Sequence, residues 1–211
     1  MTDLGLLSLV QWLSPAFPTG GFAYSHGLEW AISNGDVRDG LSVESWLADV
    51  LEHGAAWGDA VALACVLRGE DAAAIADDLR AMAGSAERLK ETEEQGAAFA
   101  MAAGALGASD GRAWPLPVAV GLATAPLDLP HDQVIALYLH SFASNLTSAA
   151  VRFVPLGQNA GQGVLKSLHP VIHRLATRAA TAKMTDITTA AFGAEIAAMA
   201  HETQDVRIFK T

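Results

Sequence analysis

Ser42–Glu52 reads S-V-E-S-W-L-A-D-V-L-E, and its apolar spacing decides the fold class. Val43, Trp46, Leu47, Val50 and Leu51 stand at i, i+3, i+4, i+7 and i+8, which places them on one face of an α-helix. Ser42 is positioned to cap that helix by accepting an orphan backbone N–H. The same period returns in Val134, Leu137, Tyr138, Phe142 and Leu146, and again in Val164, Leu168, Ile172 and Leu175. Pro130 suits the first turn before the former, where its missing N–H costs nothing. Glycine and proline punctuate the chain at Ser14–Gly21, Gly35–Gly40, Gly107–Gly111 and Pro155–Gly163. Helices are predicted near 4–13, 22–33, 42–54, 56–68, 71–82, 86–106, 115–123, 130–150, 163–182 and 186–200. The expectation is an all-α fold, a single-domain bundle of about ten helices over residues 1–211, with a flexible N-terminus and an exposed tail at 205–211.

Composition bounds the function. The 211 residues are 51% hydrophobic but only 17% charged. Either part of the surface is apolar and meant for a partner, or small alanines pack helices closely within the chain. A net charge of −10 and a pI near 5.0 disfavour non-specific binding to nucleic acid or anionic membrane. One cysteine, Cys65, excludes an intramolecular disulfide and a thiolate metal cluster within one chain. Leu4–Val10 is short and has no basic flank, unlike a signal peptide. The apolar run Pro115–Leu127 contains three prolines and is too short to span a bilayer. A cytoplasmic location is the default expectation.

Three segments carry unusual local chemistry. Trp12–Glu29 combines Pro15 and Pro18, the pair Gly20–Gly21, and the aromatics Phe17, Phe22 and Tyr24. It reads as a stiff loop, either pinned to the core by its aromatics or presented as a rigid contact surface. Arg152–Gln162, R-F-V-P-L-G-Q-N-A-G-Q, superficially suggests a phosphate loop. Leu165 rather than glycine precedes Lys166, so that chemistry is not specified. His201–Lys210, H-E-T-Q-D-V-R-I-F-K, reads either as a buried polar cluster or as a basic and apolar anchor that orders on binding.

Other candidates are weaker. His169 and His173 stand at i, i+4, a spacing that helical metal sites use. Pro170 lies between them and no carboxylate lies nearby in sequence to support the rings, so no metal site is assigned. Glu87, Arg88, Lys90, Glu91, Glu93 and Glu94 are expected to form a solvated helix face laced with i, i+4 pairs. No nucleophile–base arrangement emerges, so no enzymatic activity and no cofactor are expected.

Taken together, Ser14–Glu29, Arg152–Gln162 and His201–Phe209 resemble the urease accessory protein UreF family. Lys90–Gly96, K-E-T-E-E-Q-G, is similar to a further family segment. It departs from the family pattern at Glu93, where an arginine is expected; Asp205 and Ile208 are also less typical. The resemblance covers essentially the whole chain. It implies an all-α homodimer that acts as an adaptor between the accessory protein UreD (also called UreH) and the GTPase UreG, influences GTP hydrolysis, and supports nickel delivery to the urease apoprotein. It further implies that Phe22, Tyr24, His26 and Glu29 lie on or beside a partner surface. Arg207 and Phe209 would order against UreD, and Arg152, Gln158, Gln162 and Lys166 would shape a UreG-facing or dimer surface. Two competing expectations are a nickel-binding carrier using His169, His173 and His201, and an intrinsic GTPase.

Overall fold

A computed structural model describes residues 2–210, with side chains from Leu4 onward. Met1, within the N-terminus expected to be flexible, and Thr211, the end of the expected tail, lie outside the described residues. Eleven α-helices occur among the described residues: α1 Thr2–Trp12, α2 Leu28–Ser33, α3 Gly40–His53, α4 Ala55–Leu67, α5 Ala72–Ala81, α6 Ala86–Ala105, α7 Leu116–Thr124, α8 His131–Phe153, α9 Gly157–Ser167, α10 His169–Ala179 and α11 Phe192–His201. The described residues contain no β-strand. The fold is all-α, as the apolar periods require.

The bundle is organised around α4. Twelve of its residues, from Ala56 through Leu67, are buried. A helix that is apolar on every side must be surrounded, and α3, α5, α7, α8 and α10 pack against this one. The alanines and glycines allow those helices to come close. At Gly121 on α7, an added Cβ would lie 2.7 Å from Val66 Cγ1 of α4. Alanine-rich composition is therefore spent largely on close helix packing. Helix α8 is long and apolar enough to cross a membrane by composition alone, yet half of its most apolar window is buried inside the bundle.

Helix α3 begins earlier than its first apolar residue. Its cap is Asp39, whose carboxylate accepts the Ser42 N–H at 2.8 Å, while the Ser42 hydroxyl accepts the Asp39 N–H at 3.0 Å. Ser42 is thus the return half of a capping box rather than the cap itself.

The helix expected over 186–200 is a 3₁₀ turn at Met184–Asp186 followed, after an irregular stretch, by α11. Three further boundaries differ from the sequence reading, each for a local reason. The helix expected over 22–33 is a 3₁₀ turn at Gly21–Ala23 followed by the short α2. His26 and Gly27 have φ of 58° and 75°, which no α-helix tolerates. Residues 163–182 form two helices, because Pro170 lacks the N–H that a continuous helix would donate to the Lys166 carbonyl. Gly157–Gly163, read as punctuation, is instead the start of α9. A Cβ at Gly161 would meet Val151 Cγ2 at 2.5 Å, so this glycine is a close-packing residue against α8.

Candidate functional site

The three segments that stand out in the sequence meet at one place. Residues 24–29 enter α2, Arg152 and Phe153 end α8, and residues 201–210 leave α11. Helix α6 forms the floor beneath them. Gly27 permits the approach, since a Cβ there would sit 2.6 Å from the Ala198 backbone nitrogen of α11.

At the centre is Glu29, which is buried. One carboxylate oxygen lies 3.1 Å from His201 Nε2. The carboxylate also accepts the backbone N–H of Ile208 at 2.9 Å and that of Phe209 at 2.9 Å. His201 is wholly buried, and its Nδ1 lies 2.7 Å from Glu87 on α6. The other oxygen of Glu87 accepts from Arg207 at 2.6 Å. Two buried carboxylates therefore face an arginine, a bridging imidazole and two backbone amides. Buried charge is tolerated when it is paired and hydrogen-bonded in this way.

The tail continues along that floor as a strap. Phe209 is buried and packs on Phe153 with ring centres 5.3 Å apart. Its other neighbour is Arg152, whose guanidinium lies 5.8 Å from the Phe209 ring centre and donates to the Phe22 carbonyl at 3.3 Å. The Lys210 N–H donates to the Ala23 carbonyl at 2.8 Å, and its ammonium reaches Glu94 at 2.9 Å. Tyr24 donates to the same carboxylate at 2.5 Å. Burial and that hydrogen bond push the Tyr24 hydroxyl well above the ordinary tyrosine range. The hydrogen bonds from Tyr24 and Lys210 hold Glu94 below the usual glutamate value.

A second polar layer lies deeper. Arg88 on α6 donates to both oxygens of Asp59 on α4, at 2.8 and 2.7 Å, and Tyr138 on α8 donates to Asp59 at 2.9 Å. Burial works against the Arg88 charge, but Asp59 and Glu91 more than offset it and raise its pKa above the ordinary arginine value. Burial and the neighbouring Asp59 drive the Tyr138 hydroxyl well upward. Glu91 lies 3.3 Å from His26 Nδ1 and accepts from Gln95 at 3.1 Å.

These positions correct one expectation. The α6 face was read as solvated, yet Glu87, Glu91, Thr92 and Gln95 are buried. Only its other side keeps surface pairs, such as Arg80–Glu93 at 2.9 Å. Of the residues expected at a partner surface, Tyr24, His26, Glu29 and Phe209 are buried within this chain. Phe22 is exposed, as are Arg152, Gln158, Gln162, Lys166 and Arg207. Gln158, Gln162 and Lys166 follow one another at four-residue intervals along the outer side of α9. His201 fits the buried-cluster alternative for its segment. The expected tail is exposed at Asp205–Ile208, but it is tied down at its backbone and at Phe209.

Sequence reasoning missed Asp59, Glu87, Glu91, Gln95 and Tyr138 as members of this network. The available signal was the spacing of Glu87, Glu91 and Gln95 at i, i+4 and i+8, which makes one polar stripe opposite Arg88 and the cations near 201–207.

Beside the strap lies a surface of opposite character. Phe192, Ile196 and Met199 stand at i, i+4 and i+7 on α11 and are 67, 56 and 48% exposed. Val206 and Ile208 of the strap are also exposed. Exposed apolar side chains spaced along one helix face, as the first three are on α11, are a feature of protein contacts. Among the described residues, no group of three or more His, Cys, Asp or Glu side chains is placed to hold a metal ion.

Comparison with known proteins supplies the family. A family model described as UreF matches residues 37–169. A urease accessory protein UreF of Cereibacter sphaeroides is 63% identical, covering 98% of both chains. Another from Paracoccus denitrificans is 51% identical over 97% of this chain and 95% of its own length. One from Roseobacter denitrificans is 48% identical over 100% of this chain and 96% of its own length. With the motifs gathered at a single strap and the likeness running nearly end to end, the chain belongs to the UreF family of urease accessory proteins.

Proposed function

We propose that this chain is a non-enzymatic adaptor in urease maturation. It binds the accessory protein UreD (UreH) and the GTPase UreG, modulates GTP hydrolysis by UreG, and supports nickel insertion into the urease apoprotein. It works in the cytoplasm as a homodimer. The observation that carries this reading is the convergence of the three family segments on a strap flanked by exposed apolar side chains. Buried Glu29, His201 and Glu87 fix the strap, and the strap together with α11 presents Phe192, Ile196, Met199, Val206 and Ile208. A fixed apolar surface loses little conformational entropy on association, which favours tight protein contact.

In this reading the apolar face of α11 and the strap receives UreD. The polar row Gln158, Gln162 and Lys166 on α9, with Arg152 and Phe22 nearby in the fold, serves UreG or the dimer. Tyr24, His26, Glu29 and Phe209 act from beneath by fixing the backbone that carries the contacts. The test is reconstitution: the purified chain is combined with UreD and UreG, and the complex is resolved by size-exclusion chromatography. Co-elution of all three proteins, with urease activation in the presence of Ni²⁺ and GTP, is expected. Failure of the chain to associate with either protein refutes the adaptor reading. GTP hydrolysis by the chain alone would favour an intrinsic GTPase instead.

A further inference from the structure

His201 closes α11 with both ring nitrogens committed to carboxylates. Nδ1 lies 2.7 Å from Glu87 on α6, and Nε2 lies 3.1 Å from Glu29 on α2. All three side chains are buried. A neutral imidazole has one N–H and one bare nitrogen. Wherever its single proton sat, the bare nitrogen would turn its lone pair on a carboxylate oxygen.

The carboxylates are themselves held in the ionised form. Glu29 accepts the N–H groups of Ile208 and Phe209, and Glu87 accepts from Arg207. Hydrogen bonds to the charged form favour it. Arg207 balances one of the two negative charges. The neighbouring groups do not balance the other. Arg88 is taken by Asp59, Lys210 by Glu94, and His26 lies against Glu91. Glu202, beside His201 in sequence, accepts the Ala86 and Glu87 N–H groups at the start of α6.

We propose that His201 is held as an imidazolium, with a proton on each ring nitrogen, and that this buried cation seats the strap. It supplies the second positive charge and two charge-assisted hydrogen bonds at once. Both carboxylates that it steadies are the ones that grip Arg207, Ile208 and Phe209. His201 therefore acts on the apolar edge through Glu29 and Glu87, as a positioning residue. Seating the strap takes up a proton, so the strap is held more firmly at lower pH and released as pH rises. The proposal concerns the chain by itself and stands independently of the adaptor reading.

The test uses the full chain with ¹⁵N-labelled histidine. At pH 7.5 the His201 ring, assigned by its absence from the His201→Gln spectrum, should carry a proton on each nitrogen. A ring with one bare nitrogen overturns the proposal. His201→Gln fills a similar space but offers N–H groups at one end only, as a neutral imidazole does. Trypsin cleavage after Arg207 should then be at least about tenfold faster than in wild type, with far-UV circular dichroism unchanged. Adding Glu29→Gln removes the stranded charge and should slow that cleavage again, which a mere loss of shape would not allow. In wild type, cleavage relative to a free peptide of residues 201–211 should rise from pH 7 to pH 9, and in His201→Gln it should stay level. Arg207 and Lys210 keep their charge over that range. Wild-type cleavage in His201→Gln, no rescue by Glu29→Gln, or a level wild-type pH profile would each overturn the proposal.

Discussion

Glu29 Oε2 accepts the backbone N–H of Phe209 at 2.9 Å, across 180 positions of sequence. A side chain near the beginning of the chain thus completes the backbone hydrogen bonding of a segment near its end. The same carboxylate faces His201, so one residue secures both the end of α11 and the strap that follows.

Removing that carboxylate should be costly. Glu29→Ala leaves His201 short of a partner and strands two backbone N–H groups in the interior. A loss of about 3–5 kcal/mol in urea-denaturation stability is expected, the usual cost of breaking a buried charge-paired network. Glu29→Gln keeps one acceptor and should lose less, about 1–3 kcal/mol. Equal stability of wild type and Glu29→Ala would contradict the assignment.

Phe209→Ala should free the strap without dissolving the bundle. The ring packs on Phe153 at one edge of the fold, so its loss costs near the lower end of the range for buried aromatics, about 3 kcal/mol for the docked strap. Trypsin should then cleave rapidly after Arg207, while far-UV circular dichroism stays unchanged. A cleavage rate matching the wild type would show that Phe209 does not anchor the segment.

The outer surfaces should separate binding from stability. Lys166→Glu and Ile196→Glu alter exposed side chains and should shift denaturation midpoints by no more than about 0.5 kcal/mol. Lys166→Glu should weaken retention of UreG, and Ile196→Glu that of UreD, in co-purification. Arg207→Ala should also reduce complex formation while the chain remains folded. Wild-type retention of both partners by all three variants would refute the surface assignments.

His140 should make stability fall on mild acidification. Burial and His169 depress its folded-state pKa below the ordinary 6.5, so protonation favours the unfolded chain. Its contribution is complete above the unfolded-state value and declines as pH drops through that value toward the lower folded one. Denaturation at pH 7.5 and pH 5 should therefore show a smaller drop for His140→Gln than for wild type. Identical drops would remove His140 from the balance.

Gly96→Ala pits helix propensity against contact. Alanine in α6 should gain up to about 1 kcal/mol over glycine. The added Cβ would lie 1.9 Å from the Trp114 carbonyl oxygen and 2.7 Å from the Leu116 nitrogen, both backbone atoms with little freedom to retreat. Overpacking of this kind costs about 1–3 kcal/mol or more, so net destabilisation is expected. A higher melting temperature for the variant would show that the 112–116 segment yields.

Much of the bundle was legible in the sequence because apolar periodicity reports directly on burial. Val43 to Leu51 and Val134 to Leu146 place their faces correctly on α3 and α8. What failed was the reading of polar residues. Glu87 and Glu91 look solvated until His201, Arg207, Arg88 and His26 are brought to them, and nothing local encodes that approach. The strap was harder still, since three of its ties use backbone N–H groups that every residue but proline possesses. Gly157–Gly163 misled for the converse reason: packing against Val151 outweighed the low helix propensity of glycine. The family segments were legible as a set. Their burial was not, because motif strings do not reveal whether a residue faces a partner or fixes the residue that does.

The Glu29–Phe209 tie also imposes an order of events during synthesis. Glu29 leaves the ribosome long before Ile208 and Phe209 are translated, and until then its carboxylate lacks the amides that the finished chain supplies. The seat of the strap thereby reports whether residues 208 and 209 have arrived: without them, a buried carboxylate lacks two of its hydrogen-bond donors.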